Sequence, residues 1–308
     1  MWLLRLMRSN TIDRMKHSFE RLMLPSTYAS VKTLETETQS DRYRSPLRYP
    51  GGKQKAIDLI SKALPRSASE YREPLVGGGS VYFHAKKIGL AQKYWINDAF
   101  KELIALWKVL QDPSACEKLA EELEQLRANF SGPGQIKKYY LKARLEEPQD
   151  DYRQAFLFFF FNRVTFSGTT RAGGFSSSAS IRRFTRSSIE RLLPMPAALN
   201  GTKITNVDYE EVINAPGDDV FLFLDPPYYT ATKLYGHGGS LHEFDHERLA
   251  SALKKCDHRF LITYDDCGAI RRLYRGAKIT KWQLQYGMNN CNLERASKIG
   301  AELFISNY

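Results

Sequence analysis

The sequence has little cysteine and lacks any long hydrophobic run. Its four cysteines are scattered, with no CxxC pair and no histidine at metal-ligand spacing: Cys116, Cys256, Cys267 and Cys291. This pattern argues against a disulfide framework and a zinc site, so we expect no bound metal and a reducing, cytoplasmic location. The longest apolar runs, Ala155–Phe161 and Val220–Leu224, are far shorter than the roughly 20 residues that span a bilayer. We therefore expect no membrane association.

Negative charge is also scarce in one part of the chain. The whole sequence has 45 Lys and Arg against 34 Asp and Glu, a net charge of +11. Residues 153–191 contain seven arginines, no lysine, no aspartate and a single glutamate, Glu190. Guanidinium groups form planar, two-pronged hydrogen bonds with phosphates and base edges, so this block predicts contact with a nucleic acid. The alternative is a solvated surface without a partner.

The distribution of apolar residues predicts an α/β fold. A helical stripe over Lys53–Leu64 is followed by Leu75 and Val76, a glycine turn at 77–79 and a second helix. The segments Lys203–Val207, Val220–Leu224 and Phe260–Thr263 are typical of buried strands. Between the two parts, residues 112–199 show helical spacing without a clear strand. This organisation predicts one α/β domain formed by residues 45–111 and 200–308, a mainly helical insertion, and an N-terminal extension, residues 1–44.

The sequence VFLFLDPPY at 220–228 is the strongest local signal. Asp225 follows a buried strand at its carboxyl end, where ligands bind in open α/β sheets. The two prolines fix the turn and remove two backbone donors. The carbonyl of Pro226 is then free to accept a hydrogen bond from a substrate. Tyr228 can offer its ring to a planar ligand. The alternative, that the prolines only end the strand, does not account for the carboxylate and the aromatic ring around the turn.

Gly77 and Gly79 lie in a turn between a predicted strand and a helix, where the backbone can approach a ligand closely. The spacing matches neither a dinucleotide fingerprint nor a P-loop. Asp98 follows the next predicted strand, a position from which a carboxylate can accept hydrogen bonds from both hydroxyls of a ribose. The pattern favours a nucleoside cofactor, although Asp98 could instead cap the following helix.

Together these segments resemble one known family. LRYPGGK (47–53), EPLVGGGSVYF (73–83), IND (96–98) and DPPY (225–228) are similar, in sequence and order, to the motifs of the Dam-like S-adenosylmethionine-dependent DNA adenine N6-methyltransferases. FNRVTFSGTTRAGGFS (161–176) and ELFISNY (302–308) extend the resemblance, which covers residues 45–308. It implies a Rossmann-like methyltransferase sheet with helices on both faces and an inserted, mainly helical DNA-recognition domain.

The resemblance also implies roles for individual residues. The catalytic residues would be Asp225, Pro226 and Tyr228. The cofactor S-adenosylmethionine would be bound by Tyr49, Lys53, Gly77, Gly79, Asp98 and Asp225. DNA would be contacted by Phe166, Ser167, Arg171, Arg182, Arg183 and Arg186. Family members commonly have tyrosine and asparagine at the positions of Phe166 and Ser167, so a GATC-like target is not implied.

The implied activity is site-specific methylation of the exocyclic amino group of an adenine that has been flipped out of double-stranded DNA. Three alternatives remain: methylation of cytosine N4, methylation of an RNA amino group, and a non-catalytic DNA-binding protein with the same fold. We expect a monomer, and a cognate restriction enzyme is a possible partner.

Overall fold

The sheet at the centre of the molecule is continuous. The computed structural model describes residues 43–230, 244–285 and 299–308, so that nearly all of the expected N-terminal extension lies outside the described residues. The described strands are β1 (Ala68–Glu73), β2 (Ala91–Asn97), β3 (Thr202–Thr205), β4 (Val220–Leu224), β5 (Arg259–Asp265), β6 (Lys278–Gln285) and β7 (Ile299–Ser306). Their order is β3-β2-β1-β4-β5-β7-β6. The first five strands are parallel, and β7 is antiparallel to both β5 and β6.

Helices flank this sheet. In chain order they are α1 (Ile57–Ala63), α2 (Ser80–Lys87), α3 (Lys101–Gln111), α4 (Pro113–Ala128), α5 (Pro133–Arg144), α6 (Asp151–Val164), α7 (Ser177–Arg182), α8 (Arg186–Glu190), α9 (Met195–Leu199), α10 (Tyr209–Asn214), α11 (His246–Lys255) and α12 (Gly268–Leu273). A parallel sheet with an antiparallel edge and helices on both faces is a Rossmann-like methyltransferase fold, so the predicted fold class is confirmed. Within the described ranges, no helix is long and apolar enough to cross a membrane.

Strand β4 shows why its sequence is apolar without interruption. Phe221 and Phe223 belong to the core cluster that contains α2 and α3, whereas Leu222 and Leu224 belong to the cluster that contains α11. Successive side chains of a strand point to opposite faces of the sheet, so a strand covered on both faces has no position for a polar residue. The run from Val220 to Leu224 is completely buried, as its pattern predicts.

The strand before the glycine turn differs from the predicted one. It is β1, and Leu75 and Val76 lie in the turn that follows. The segment reads as polar, yet Arg72 and Glu73 are 1% and 2% exposed. Arg72 is buried because its guanidinium donates to the carbonyls of Ala215 and Pro216 at 2.6 and 2.8 Å. The hydrophobic pattern fails here because the burial is stabilised by partners distant in sequence.

Residues 112–199 contain six α-helices, α4 to α9, two short 3-10 helices (Phe166–Gly168 and Thr170–Ala172) and one isolated bridge between Thr165 and Phe175. The phenylalanines at 156 and 158–161 are buried. Phe158 packs edge-on against Phe100 with 5.5 Å between the ring centroids. The helical segment therefore shares a hydrophobic core with the first half of the sheet.

Candidate active site

Asp225 lies directly after β4 and is held by two side chains. The ammonium of Lys53 is 2.7 Å from its carboxylate, and the Thr263 hydroxyl donates to Oδ1 at 2.6 Å. Lys53 is 5% exposed and Asp225 is 22% exposed. Charge-assisted hydrogen bonds of this length are strong and directional. They fix the carboxylate in one orientation while leaving part of it accessible from outside.

Tyr228, at the end of the same turn, is also fixed. Its hydroxyl donates to the carboxylate of Glu302 on β7, and the Lys53 ammonium lies 4.7 Å from the centroid of its ring. A cation over a tyrosine face is attracted by the ring quadrupole. Lys53 therefore contacts both predicted catalytic side chains, which the sequence separates by more than 170 residues.

The backbone beyond Tyr228 is bonded to the end of β5. The Asp265 carboxylate accepts from the amide of Tyr229 at 2.9 Å and from the amide of Thr230 at 3.0 Å. Two adjacent amides bonded to one carboxylate hold the segment after the DPPY sequence against the sheet.

The glycine turn forms the neighbouring wall. Gly77 and Gly79 have φ angles of 47° and 69°, which an L-residue with a side chain rarely adopts. A Cβ atom on Gly77 would lie 2.8 Å from the ring of Tyr49, so this ring rests directly on the glycine backbone. The predicted cofactor residues at 49, 77 and 79 are therefore adjacent in space.

Asp98 connects the turn to the end of β2. Its two carboxylate oxygens accept from the amides of Gly77 and Phe100, each at 2.9 Å. Burial raises the pKa of Asp98, and these backbone hydrogen bonds act in the opposite direction. Phe100 is itself the N-cap of α3, and that helix has no side-chain cap, so the predicted alternative that Asp98 caps it is wrong. An ionised carboxylate has about four acceptor positions, so the contacts with Gly77 and Phe100 do not occupy all of them.

A third carboxylate lies behind these two. Glu73 is buried and accepts from the hydroxyl of Tyr71 at 2.6 Å. Burial raises its pKa well above the usual range, and the negative charges of Asp225 and Asp98 add to this effect. Sequence reasoning gave Glu73 no role. The carboxylates of Asp225 and Asp98 suit a ligand with positive charge, such as a sulfonium with an α-ammonium group.

The predicted DNA-contacting residues divide into two groups. Phe166 is 63% exposed, and Ser167 beside it has a positive φ of 51°. Arg182 and Arg183 are exposed, as DNA contact requires. Arg171 instead donates to the backbone carbonyl of Glu146 at 2.9 Å. Arg186, although exposed, pairs with Glu190 at 2.9 Å on its own helix.

Arg163 is an exception within the arginine-rich block because it is 3% exposed. Its guanidinium lies over the ring of Phe159 at 4.8 Å, and its Nε and Nη2 atoms have no hydrogen-bond partner among the described residues. Burial lowers the pKa of Arg163 to about 9, and the positive charges of Arg191, Arg48 and Arg183 contribute to the shift. Positive charge is therefore concentrated around Arg163.

Sequence reasoning missed Thr263, Glu302 and Asn162. Asn162 is buried; its side chain accepts from the Arg48 amide at 3.1 Å and donates to the carbonyls of Arg48 and Gly168 at 2.7 and 3.2 Å. It thereby attaches the segment before Tyr49 to the loop that presents Phe166. The one available signal was a polar residue directly after the apolar run Ala155–Phe161. Thr263 and Glu302 lie in ordinary strand patterns that carry no such signal.

The proline turn with Asp225 and Tyr228 therefore lies next to the glycine turn with Asp98, as the resemblance to the DNA adenine N6-methyltransferases implies. The model of one protein family, the D12 class N6 adenine-specific DNA methyltransferases, matches residues 49–288. The chain belongs to this family. It is therefore an adenine-specific DNA methyltransferase, and S-adenosylmethionine is the methyl donor in this family. The main functional prediction is confirmed over its alternatives.

Similar proteins agree with this assignment. The chain is 27% identical to the type II methyltransferase M.MjaIII of Methanocaldococcus jannaschii over 288 residues, covering 85% of this chain and 98% of that protein. It is 21% identical to the DNA adenine methylase of Haemophilus influenzae, covering 84% and 92%. It is also 29% identical to the DNA N-6-adenine-methyltransferase of Escherichia phage P1, covering 80% of this chain but 33% of the phage protein.

Proposed function

We propose that Asp225 and the carbonyl of Pro226 accept hydrogen bonds from the amino group of a flipped adenine, whose ring stacks on Tyr228. The amino nitrogen is a poor nucleophile because its lone pair is delocalised into the ring. Hydrogen bonds that favour a tetrahedral nitrogen, together with in-line positioning, lower the barrier. The observation that carries the proposal is the fixed orientation of Asp225, which Lys53 and Thr263 hold at 2.7 and 2.6 Å.

The same proposal assigns the cofactor site. S-adenosylmethionine supplies an electrophilic methyl group when it is bound. Tyr49, Lys53 and the glycine turn would line its binding site, and Asp98 would accept from the ribose hydroxyls. The two amide contacts of Asp98 support this role because they hold the carboxylate at the end of β2 with acceptor positions to spare.

We further propose that residues 112–199 recognise double-stranded DNA, and that residues 45–111 and 200–308 form the catalytic part. An adenine inside a duplex cannot reach the DPPY turn and must be extruded. Phe166 and Ser167 would enter the space that the extruded base leaves in the duplex. Arg171 would contact a base edge or a phosphate, and the arginines at 182, 183 and 186 would contact phosphates. The exposed ring of Phe166 supports the first of these roles.

A substitution at Asp225 tests the catalytic assignment. Asp225→Asn keeps the shape of the side chain and removes its charge, and should slow methyl transfer on the order of 100-fold, as loss of one group that stabilises a transition state does. The assay follows labelled methyl from the cofactor into duplex DNA, with the modified nucleoside identified after digestion. Asp266→Asn is the matched control, because Asp266 pairs with Arg271 at 2.6 Å and lies outside the catalytic turn. An Asp225→Asn protein as active as its parent would refute the role.

Two finer points complete the proposal. The protein would act as a monomer, which sedimentation of the full chain would test. It would also protect DNA against a restriction enzyme of the same specificity, a proposal supported by the type II name of the M. jannaschii relative. Sequencing methylated bases in DNA from a host that expresses the chain would identify the recognition site. DNA modified at this site should then resist a restriction enzyme that cuts there.

A further inference from the structure

We propose that Glu302 is a positioning residue for the target base, which it affects through the hydroxyl of Tyr228. The inference rests on the proposed stacking of adenine on Tyr228. Glu302 lies in the last strand of the chain, 74 residues beyond that tyrosine. Its contribution to the site is visible only in the folded protein.

The sheet order brings the two residues together. Strand β5 separates β4, which carries the catalytic turn, from β7. Glu302 is paired in register with Asp265, the last residue of β5. It therefore lies at the carboxyl end of the parallel strands, on the same edge as Tyr228. The Tyr228 side chain reaches past the end of β5, so that its hydroxyl contacts Glu302.

Because Glu302 is buried, its hydrogen bond with the Tyr228 hydroxyl is important for both side chains. Glu302 is 1% exposed, and a carboxylate removed from water requires hydrogen-bond donors close to it. The Tyr228 hydroxyl is such a donor, and an O–H to carboxylate bond is among the stronger hydrogen bonds in proteins. The bond restrains the ring at its hydroxyl end, while the Lys53 ammonium lies over its face.

Other contacts restrain other parts of the same turn. Thr263 holds the carboxylate of Asp225, and Asp265 holds the amides of Tyr229 and Thr230. The Glu302 contact acts on the aromatic ring itself. A ring fixed before the base arrives loses little freedom on stacking, so more of the stacking energy is available to hold the flipped adenine.

A double-mutant cycle tests this role. Tyr228→Phe removes the hydroxyl and keeps the ring; Glu302→Ala removes the acceptor. Each should lower the single-turnover rate of methyl transfer about tenfold, as loss of a hydrogen bond to a charged group does, and the double variant should be no slower than the slower single variant. Glu302→Gln retains an acceptor oxygen and should recover part of the rate.

Two further measurements separate positioning from general structural damage. Cofactor affinity, measured by calorimetry, should be unchanged in the variants. The fluorescence of 2-aminopurine at the target position should fall or rise equally in Tyr228→Phe and Glu302→Ala, because both alter the stack in the same way. The control Asp266→Ala removes a carboxylate next to Asp265 that pairs with Arg271 and Lys281, and should keep the parental rate.

Additive losses in the double variant, or a folded Glu302→Ala protein with the parental rate, would overturn the proposal. If Glu302→Ala does not fold, Glu302→Met, which also removes the acceptor but fills more of the buried space, replaces it in the cycle. A parent protein that methylates no adenine contradicts the proposed function. An active parent with additive losses contradicts only the role of Glu302.

Discussion

Replacing Thr263 by valine should slow methyl transfer while the fold remains intact. The two side chains have almost the same shape, and Thr263 is fully buried in β5, so valine fills the same space. What is lost is the hydrogen bond from the hydroxyl to Oδ1 of Asp225, 2.6 Å long. The carboxylate then keeps Lys53 as a partner but can rotate about its own bond.

The size of the effect follows from the type of bond. A hydrogen bond to an ionised group contributes about 1.5–3 kcal/mol, and each 1.4 kcal/mol changes a rate about tenfold. Asp225 is 22% exposed and retains its ion pair, so the lower end of that range applies. We expect a single-turnover rate about tenfold below that of the parent, in a protein that still folds.

The assay compares single-turnover transfer of labelled methyl in the parent, Thr263→Val and Thr263→Ser, where serine should recover part of the rate. Thr202→Val is the matched control. Thr202 is a buried threonine of β3 whose hydroxyl shares a 2.7 Å hydrogen bond with that of Tyr82, away from the DPPY turn. Its variant should lose stability and keep the rate. Equal rates for Thr263→Val and the parent would show that the hydroxyl does not orient the carboxylate.

Three other substitutions test other parts of the structure. Gly77→Ala should abolish cofactor binding in calorimetry, because the added Cβ would lie 2.8 Å from the ring of Tyr49. Gly89 also has a left-handed backbone, but no atom lies within 4 Å of an added Cβ, so Gly89→Ala should only lower stability. Equal cofactor binding by the two variants would contradict this reasoning. Arg163→Met should raise the free energy of unfolding by about 1 kcal/mol in denaturant titrations, because burial disfavours the arginine charge. A lower free energy of unfolding would show that the guanidinium has a further stabilising partner. Arg182→Ala should weaken binding to all duplexes and reduce the slope of log affinity against log salt by about one; a loss confined to one sequence would indicate base reading.

The parts of the fold that the sequence predicts well are those whose stability comes from nearby residues. Strand β4 and helix α11 begin and end where their patterns indicate. Asp245 caps α11 by accepting from the amide of Arg248 at 2.8 Å, three residues away. Strand β1 was not predicted because Arg72 and Glu73 are polar and are buried by partners that other segments supply. Edge strand β6 was also missed, since its alternating polar residues give no apolar run.

The residues of the candidate site show the same difference between local and long-range signals. Residues in short motifs, such as Asp225, Tyr228 and the glycines, can be proposed from sequence because the motif carries its own geometry. Thr263 and Glu302 cannot, because a threonine or a glutamate in a strand acquires a role only when the strand order places it beside the turn. The sequence also suggests too uniform a role for the arginine block, in which Arg163 is buried and Arg153 pairs with Glu146 at 2.5 Å.

The helical segment leaves and rejoins the sheet at nearly the same point. The side-chain amide of Gln111 donates to the carbonyls of Leu199 and Thr202 at 2.9 and 2.7 Å, which closes the base of the segment. Such a closed base would allow a segment from a relative to be grafted in its place without altering the strand order. The graft would also have to reproduce the phenylalanine-rich surface of α6 that packs on Phe100 and α3. A different helical segment could therefore be transplanted into this enzyme only together with a matching interior surface.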